Sequence, residues 1–353
     1  MMRLFQHNRL LKFMIFAVLL LILTACQAEI LDRTPTSLPD SETAPDRPLD
    51  NASMANLRSL EKIDDYPFYV MQFSGNYDYP QIGDLWSVET DFSCSLFTAL
   101  GDKNEMLYGR NFDWEYSPSL LLFTNPPDGY ASASMVDLTF LGIDQEAASN
   151  LMELPIEERY DLLSAPSMPF DGMNEYGLAV GMAAVPEEFI QDASFDPSLP
   201  MIGSIGIIRQ VLDHARNVDE ALEIFRQYNI DFNGGPPIHY LLADSIGEAA
   251  LIEFYQGEMI VLPNEEPWHV ATNHLRINTQ GDGGCWRYRS IANQLASLGS
   301  RLDAQAAMQL LSQVKQGITQ WSVVYNMNNG DIHVAVGGDY QTSFTFHLDM
   351  QSP

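Results

Sequence analysis

Three residues in one short region have the chemistry of a nucleophilic centre: Cys94, Arg110 and Asp113. Cys94 opens the apolar run that ends at Leu100. Arg110 and Asp113 close a second run, Leu107 to Trp114, and the polar stretch Gly101-Asp102-Lys103-Asn104-Glu105 lies between them. Two apolar runs of strand length around a polar turn predict a β-hairpin. The outer ends of hairpin strands are neighbours, so the thiol, the guanidinium and the carboxylate can meet. A nearby cation favours thiolate over thiol, and thiolate is the form that attacks a carbonyl carbon. The same residues have quieter uses. A free cysteine packs as a small hydrophobe, and Arg110 with Asp113 would also make a structural ion pair.

The elements around this hairpin decide how it is held. Phe68 to Phe73, Ser119 to Thr124 and Ala131 to Leu141 read as strands, and residues 145 to 165 as helical with a break at Pro155. Asn174 to Gly177 is a turn signal before the small, apolar strand Leu178 to Val185. Ile205, Ile208, Val211 and Leu212 line one face of a helix. The next helix opens with Asn217 and Glu220, the spacing of a capping box, and carries Val218, Ala221, Leu222 and Phe225 on one face. His239 to Asp244 and Ala249 to Phe254 form a strand pair, followed by a loop to Val270. Helices over about 287–298 and 303–315 precede the closing strands at 321–326, 331–336 and 342–347. Strands in adjacent pairs at both ends, with helices clustered between, favour α+β with antiparallel sheets.

Composition narrows the function. Lys and Arg number 18 against 47 Asp and Glu, a formal net charge of -29 over 353 residues. So acidic a chain is ill suited to nucleic acid or to electrostatic docking on anionic lipid. Its three cysteines, Cys26, Cys94 and Cys285, are too few for a disulfide framework. A Cys94–Cys285 disulfide would cap the proposed nucleophile, and Cys285 is read as a small buried residue. His239, His269 and His274 lack metal-ligand spacing and are read as structural; no metal or cofactor is implied.

The amino terminus has its own logic. Arg3, Arg9 and Lys12 precede the apolar run Phe13 to Leu23, the pattern of a secretory signal over residues 1–25. Leu23-Thr24-Ala25-Cys26 resembles the lipobox of bacterial lipoproteins, which implies lipidation of Cys26 and an extracytoplasmic, membrane-anchored chain. Residues 26–56, rich in Pro, Ser, Thr and acids, are expected to be a flexible tether. Residues 57–93 form a further segment ahead of Cys94.

Several motifs together resemble one group. They are Cys94 with Tyr108-Gly109-Arg110-Asn111-Phe112-Asp113, the turn Met173-Asn174-Glu175-Tyr176-Gly177-Leu178, Ala271-Thr272-Asn273, Trp286-Arg287-Tyr288 and Trp321-Ser322-Val323-Val324-Tyr325. In order and rough spacing the region from Cys94 to Val336 resembles the choloylglycine hydrolases and penicillin V acylases, with the related acyltransferases and acylethanolamine amidases. All are N-terminal-nucleophile hydrolases. The resemblance implies a four-layer αββα fold with two stacked antiparallel sheets and a catalytic domain over 94–350. It implies hydrolysis of a linear amide C–N bond in a small N-acyl substrate, through an acyl-thioester on Cys94 whose own α-amine is the base. By the same resemblance Arg110 lowers the thiol pKa, Asp113 orients the α-amine, Asn273 donates to the oxyanion and Arg287 braces the site. An asparagine that contributes to the oxyanion hole of the bile-salt enzymes corresponds to Ala184 here, where only the backbone N–H could serve.

One consequence is specific to this chain. Cys94 lies deep in the precursor, so an α-amine there requires cleavage of Ser93–Cys94, with residues 57–93 remaining packed on the catalytic chain. Acyl transfer by the same nucleophile, and an inactive lipid-anchored binding protein, are the alternative functions. A homo-oligomer is compatible with the sequence.

Overall fold

Aromatic and β-branched runs separated by polar turns pair here into two large sheets. The structure is a computed structural model that describes residues 49–77, 93–186, 195–232 and 235–351. The expected signal sequence, Cys26 and the expected tether up to residue 48 lie outside the described residues. Leu49–Pro353 forms one unit.

Among the described residues the larger sheet has nine strands. In spatial order they are β1 (Glu61–Asp64), β2 (Phe68–Ser74), β5 (Ser119–Asn125), β6 (Ser132–Asp137), β7 (Asp171–Asn174), β8 (Ala179–Ala184), β11 (Ile238–Ala243), β12 (Ala249–Tyr255) and β13 (Glu258–Pro263). The second sheet has six: β14 (Trp268–Ala271), β3 (Ser95–Ala99), β4 (Leu107–Asp113), β15 (Thr319–Asn326), β16 (Asp331–Val336) and β17 (Phe344–His347). A small parallel pair, β9 (Met201–Gly203) and β10 (Asn229–Asp231), stands apart.

The two large sheets stack face to face. Leu96, Tyr108, Trp321 and Tyr325 of one share a core with Met173 and Leu241 of the other. Tyr108 Oη donates to the Leu241 carbonyl at 3.0 Å across that interface. On the outer face of the six-stranded sheet, α5 (Trp286–Ser297) and α6 (Ala304–Gln313) bury Ile291, Leu295 and Leu311 against Phe97, Leu107 and Val324. On the outer face of the nine-stranded sheet lie α3 (Gly206–His214) and α4 (Val218–Phe225). The expected αββα layering is therefore present.

Local signals explain the details. Asn217 caps α4 by accepting the Glu220 N–H at 2.9 Å, and Val218, Ala221, Leu222 and Phe225 are buried. Glu220 completes the turn by accepting from Arg216 N–H rather than from Asn217 itself. Gly177 adopts φ +78°, which only glycine holds without strain, and so turns β7 into β8.

Four expectations change. First, α1 (Asn51–Arg58) lies where the tether was expected to end; Asp50 caps it through Ser53 N–H, and Leu57 is buried. Second, β2 and β5 run parallel, in register from Phe68↔Ser119 to Ser74↔Asn125, so that sheet is mixed rather than wholly antiparallel. The chain between them crosses to the other sheet to make the β3–β4 hairpin, so they are not joined by a tight turn. Third, the strand expected through Leu141 stops at Asp137, whose carboxylate accepts from Thr139 and starts a 3-10 turn. The helical region after it divides into α2 (Gln145–Ser149) and a kinked 3-10 segment, Ile156–Ser167. Fourth, the loop expected after Phe254 contains the edge strand β13.

Candidate active site

The β3–β4 register places Ser95 opposite Asn111 and Leu96 opposite Arg110, so the strand ends carrying Cys94 and Asp113 adjoin. Cys94 is buried, at 4% exposure. Arg110 Nη2 approaches its Sγ to 4.0 Å, and the thiol is 4.0 Å from the Asp113 carbonyl oxygen. The hairpin thus brings the three residues together. The electrostatics differ from expectation in one respect. Burial pushes the Cys94 thiol up, and this outweighs the opposing pull of Arg110. The shift favours the thiol over the thiolate.

Arg110 does not pair with the Asp113 carboxylate. Its Nη1 lies 2.8 Å from Asp171 Oδ2 on β7 and also donates to the Phe170 carbonyl. Asp171 is fixed from the other side by Tyr325 Oη at 2.6 Å and Trp321 Nε1 at 3.2 Å. Asp113 is fully buried, and its Oδ1 accepts from Thr319 on the neighbouring strand. Its Oδ2 has no hydrogen-bond partner among the described residues. Burial raises the carboxyl to about 7, against the opposing effects of Thr319, Arg287 and Arg110.

The three other predicted residues converge on the same strand end. Arg287, on the first turn of α5, directs Nη1 at the Ser93 carbonyl (2.5 Å), the Cys94 carbonyl and Ser95 Oγ (2.9 Å). Its Nη2 donates to Asn273 Oδ1 at 3.0 Å, and Asn273 Nδ2 donates to the Ala184 carbonyl at 2.8 Å. Val185 N–H bonds across to Pro237, so by strand alternation the N–H and C=O of Ala184 both point away from β11. The contact seen at Ala184 is through its carbonyl oxygen.

Cys94 and Arg110 lie on the wall of a cleft of about 500 Å³, open mouth included. Phe112, Trp114, Phe140, Phe170, Met182 and Ile238 make most of the remaining lining apolar. Phe112 stacks on Trp321 at 3.9 Å, and Phe170 meets Phe112 and Phe140 edge-on. Such a wall receives an uncharged apolar group. Among the described residues no cluster of three His, Cys, Asp or Glu side chains is arranged to hold a metal.

Residues 100–352 match the family of acyl-coenzyme A:6-aminopenicillanic acid acyl-transferase. The chain belongs to this family. The fold is also similar to two solved structures. One is a variant of conjugated bile acid hydrolase from Clostridium perfringens, 16% identical, with TM-score 0.53, covering 74% of this chain and 93% of that one. The other is penicillin V acylase from Agrobacterium tumefaciens, 16% identical, with TM-score 0.50, covering 72% and 87%. No curated protein matches the sequence.

The match to the acyl-transferase family begins after Cys94, so the residue argued to be the nucleophile stands just ahead of it. Two members of the site were not singled out from the sequence. Asp171 is one; an acid inside Phe170-Asp171-Gly172-Met173, between apolar neighbours, is a signal for a buried charge with a dedicated partner. Thr319 is the other, and nothing but its strand register marks it.

Cys285 also departs from expectation. It is only partly buried, at the amino end of α5, and receives Thr272 Oγ1 at 3.4 Å. Burial pushes its thiol up, but hydrogen bonds from His274 and Thr272 and from the Tyr288 backbone bring it down to about 6. Both Cys94 and Cys285 are free thiols. His239 and His269 are structural: His239 pairs with buried Glu253 at 3.2 Å, and His269 bonds to the Leu262 carbonyl at 3.1 Å.

Proposed function

We propose that this member of the acyl-transferase family is a cysteine amidase that hydrolyses the linear amide C–N bond of an N-acyl compound. The observation that carries this reading is the position of Cys94, within reach of Arg110 on the wall of an apolar cleft. The apolar acyl part occupies the cleft, and its carbonyl carbon meets Cys94 Sγ. Attack forms an S–C bond and places negative charge on the carbonyl oxygen. The C–N bond then breaks, the amine leaves with the proton, and water hydrolyses the thioester. The base is the α-amine of Cys94, with an ordinary pKa of about 7.7–8.0. It is released by self-cleavage of Ser93–Cys94. Asp113 Oδ2 is an acceptor available to orient that amine. Asn273 Nδ2 carries two hydrogens. The Ala184 carbonyl holds one, which leaves the other to donate to the oxyanion.

The similar solved structures are named conjugated bile acid hydrolase and penicillin V acylase, in keeping with an amide substrate. The family's description as an acyl-transferase favours a second reading, in which an amine rather than water receives the acyl group from the same thioester. Extracytoplasmic location and a lipid anchor at Cys26 rest on residues 1–26 of the sequence. Among the described residues no helix is long and apolar enough to cross a membrane.

The test is a panel of N-acyl amines assayed with wild-type and Cys94→Ala chains, with and without an added amine acceptor. Turnover lost on substitution supports the nucleophile; turnover retained overturns it. Free acid as product supports hydrolysis, and a new amide supports transfer. Tight binding of acyl ligands with no turnover in the wild type would make this a binding protein. Detergent-phase partition of the wild type but not of Cys26→Ala would support the anchor.

A further inference from the structure

In the uncleaved chain the carbonyl that must be attacked during self-cleavage already has a cationic donor. Arg287 Nη1 lies 2.5 Å from Ser93 O, the oxygen of the Ser93–Cys94 peptide bond. Arg287 is 7% exposed, and its guanidinium is held on both ends. Nη1 also meets the Cys94 carbonyl and Ser95 Oγ, while Nη2 donates to Asn273 Oδ1. Asn273, the oxyanion donor for turnover in the reading above, is differently committed. Its oxygen faces the guanidinium, its nitrogen donates to Ala184, and no hydrogen bond joins it to Ser93 among the described residues.

We infer that the site has two oxyanion donors with separate duties: Arg287 serves the self-cleavage of Ser93–Cys94, and Asn273 serves substrate turnover. The inference rests on the self-cleaving amidase reading and assigns a residue to its first step. In that step Cys94 Sγ attacks the Ser93 carbonyl carbon. The S–C bond forms, the C–N bond breaks, and the thiol proton passes to the departing nitrogen, which becomes the α-amine. Water then adds to the same carbon, the C–S bond breaks, and the products are a Ser93 carboxylate, its proton and a free Cys94 thiol. Charge develops on Ser93 O in both halves. A charge-assisted hydrogen bond aimed at that oxygen is stronger than a neutral one, and its rigid placement avoids reorganisation during the step. Once Ser93 is released, Arg287 keeps the Cys94 carbonyl and Ser95 Oγ, so the new amino terminus stays in register.

The experiment follows cleavage rather than activity. Full-length wild type, Arg287→Gln, Arg287→Lys and Asn273→Asp are purified and sampled over time by intact mass and gel, with Cys94→Ala as the uncleavable reference. Arg287→Gln should slow appearance of the chain that starts at Cys94 by about 10²–10³-fold. Arg287→Lys, which keeps the charge but loses the fork, should lie between that and wild type. Asn273→Asp keeps the Oδ1 acceptor that holds Arg287 and loses only the Nδ2 donor, so it should cleave as wild type does and lose turnover instead. Wild-type cleavage rates in a folded Arg287→Gln chain would overturn the inference. So would stalled cleavage in a folded Asn273→Asp chain, which decides the matter alone if the arginine variants do not fold. A wild type that is never cleaved yet turns over substrate would instead sink the self-cleavage reading beneath it.

Discussion

Arg110 on β4 and Asp171 on β7 meet at 2.8 Å, an ion pair that joins the six-stranded sheet to the nine-stranded one. Both side chains are essentially without exposure. Their contact sets where the guanidinium points, and therefore what Cys94 faces.

Replacing Asp171 by Asn should leave a buried guanidinium unpaired, a loss of about 3–5 kcal/mol. Measured in the Cys94→Ala background, so that the chain stays single, this should lower the melting midpoint by on the order of 10 °C. An unchanged calorimetric midpoint would mean that the pair contributes little to stability.

Asp113 should make stability fall with rising pH. Its carboxyl sits at about 7 in the folded chain, above the ordinary value of 3.8, so the folded state binds a proton more tightly than the unfolded state does. The stabilisation is complete below the unfolded pKa and is lost as pH rises through the folded one, a window from roughly pH 4 to 7. Denaturant titrations of Cys94→Ala should decline across that window, and the added Asp113→Asn change should flatten the decline. Parallel curves for the two proteins would refute the assignment.

Cys285 should be the readily alkylated thiol. In the Cys94→Ala chain, labelling by iodoacetamide should follow a titration centred at about pH 6, and His274→Ala should move it upward. Labelling that begins only near the ordinary thiol range would count against the Thr272–His274 contacts.

The cleft should reward apolar acyl groups. Each added methylene buried there is worth about 0.8 kcal/mol, or roughly fourfold in kcat/KM, until the space is filled. Acyl groups that end in a carboxylate should be poor substrates, and Phe140→Ala should weaken the preference for aromatic ones. A flat response across a homologous N-acyl series would show that the acyl group binds elsewhere.

Much of the frame is legible in the residues themselves. The β3–β4 hairpin follows from two apolar runs around Gly101 to Glu105, and the α4 cap from Asn217 and Glu220. The meeting of Cys94, Arg110 and Asp113 then needs only hairpin geometry. What sequence spacing does not carry is partner choice across sheets. Asp171 reaches Arg110 only because two sheets stack, and the parallel pairing of β2 with β5 depends on a crossover through the other sheet. The Cys94 thiol illustrates a different limit. An adjacent arginine predicts a depressed pKa, but the depth of burial decides the sign, and depth belongs to the packed core.

The position of β2 gives the proposed cut at Ser93–Cys94 a lasting effect. This strand precedes Cys94, yet it lies inside the nine-stranded sheet, between β1 and β5, paired along its whole length. A cut there yields two polypeptides sharing one core, and neither has the full sheet alone. Unfolding the cut molecule separates what was synthesised as one chain, and recovery becomes a bimolecular search whose yield depends on concentration. The mature protein would then persist by the height of its unfolding barrier more than by its equilibrium stability, and maturation would be a one-way step for the fold as well as for the peptide bond.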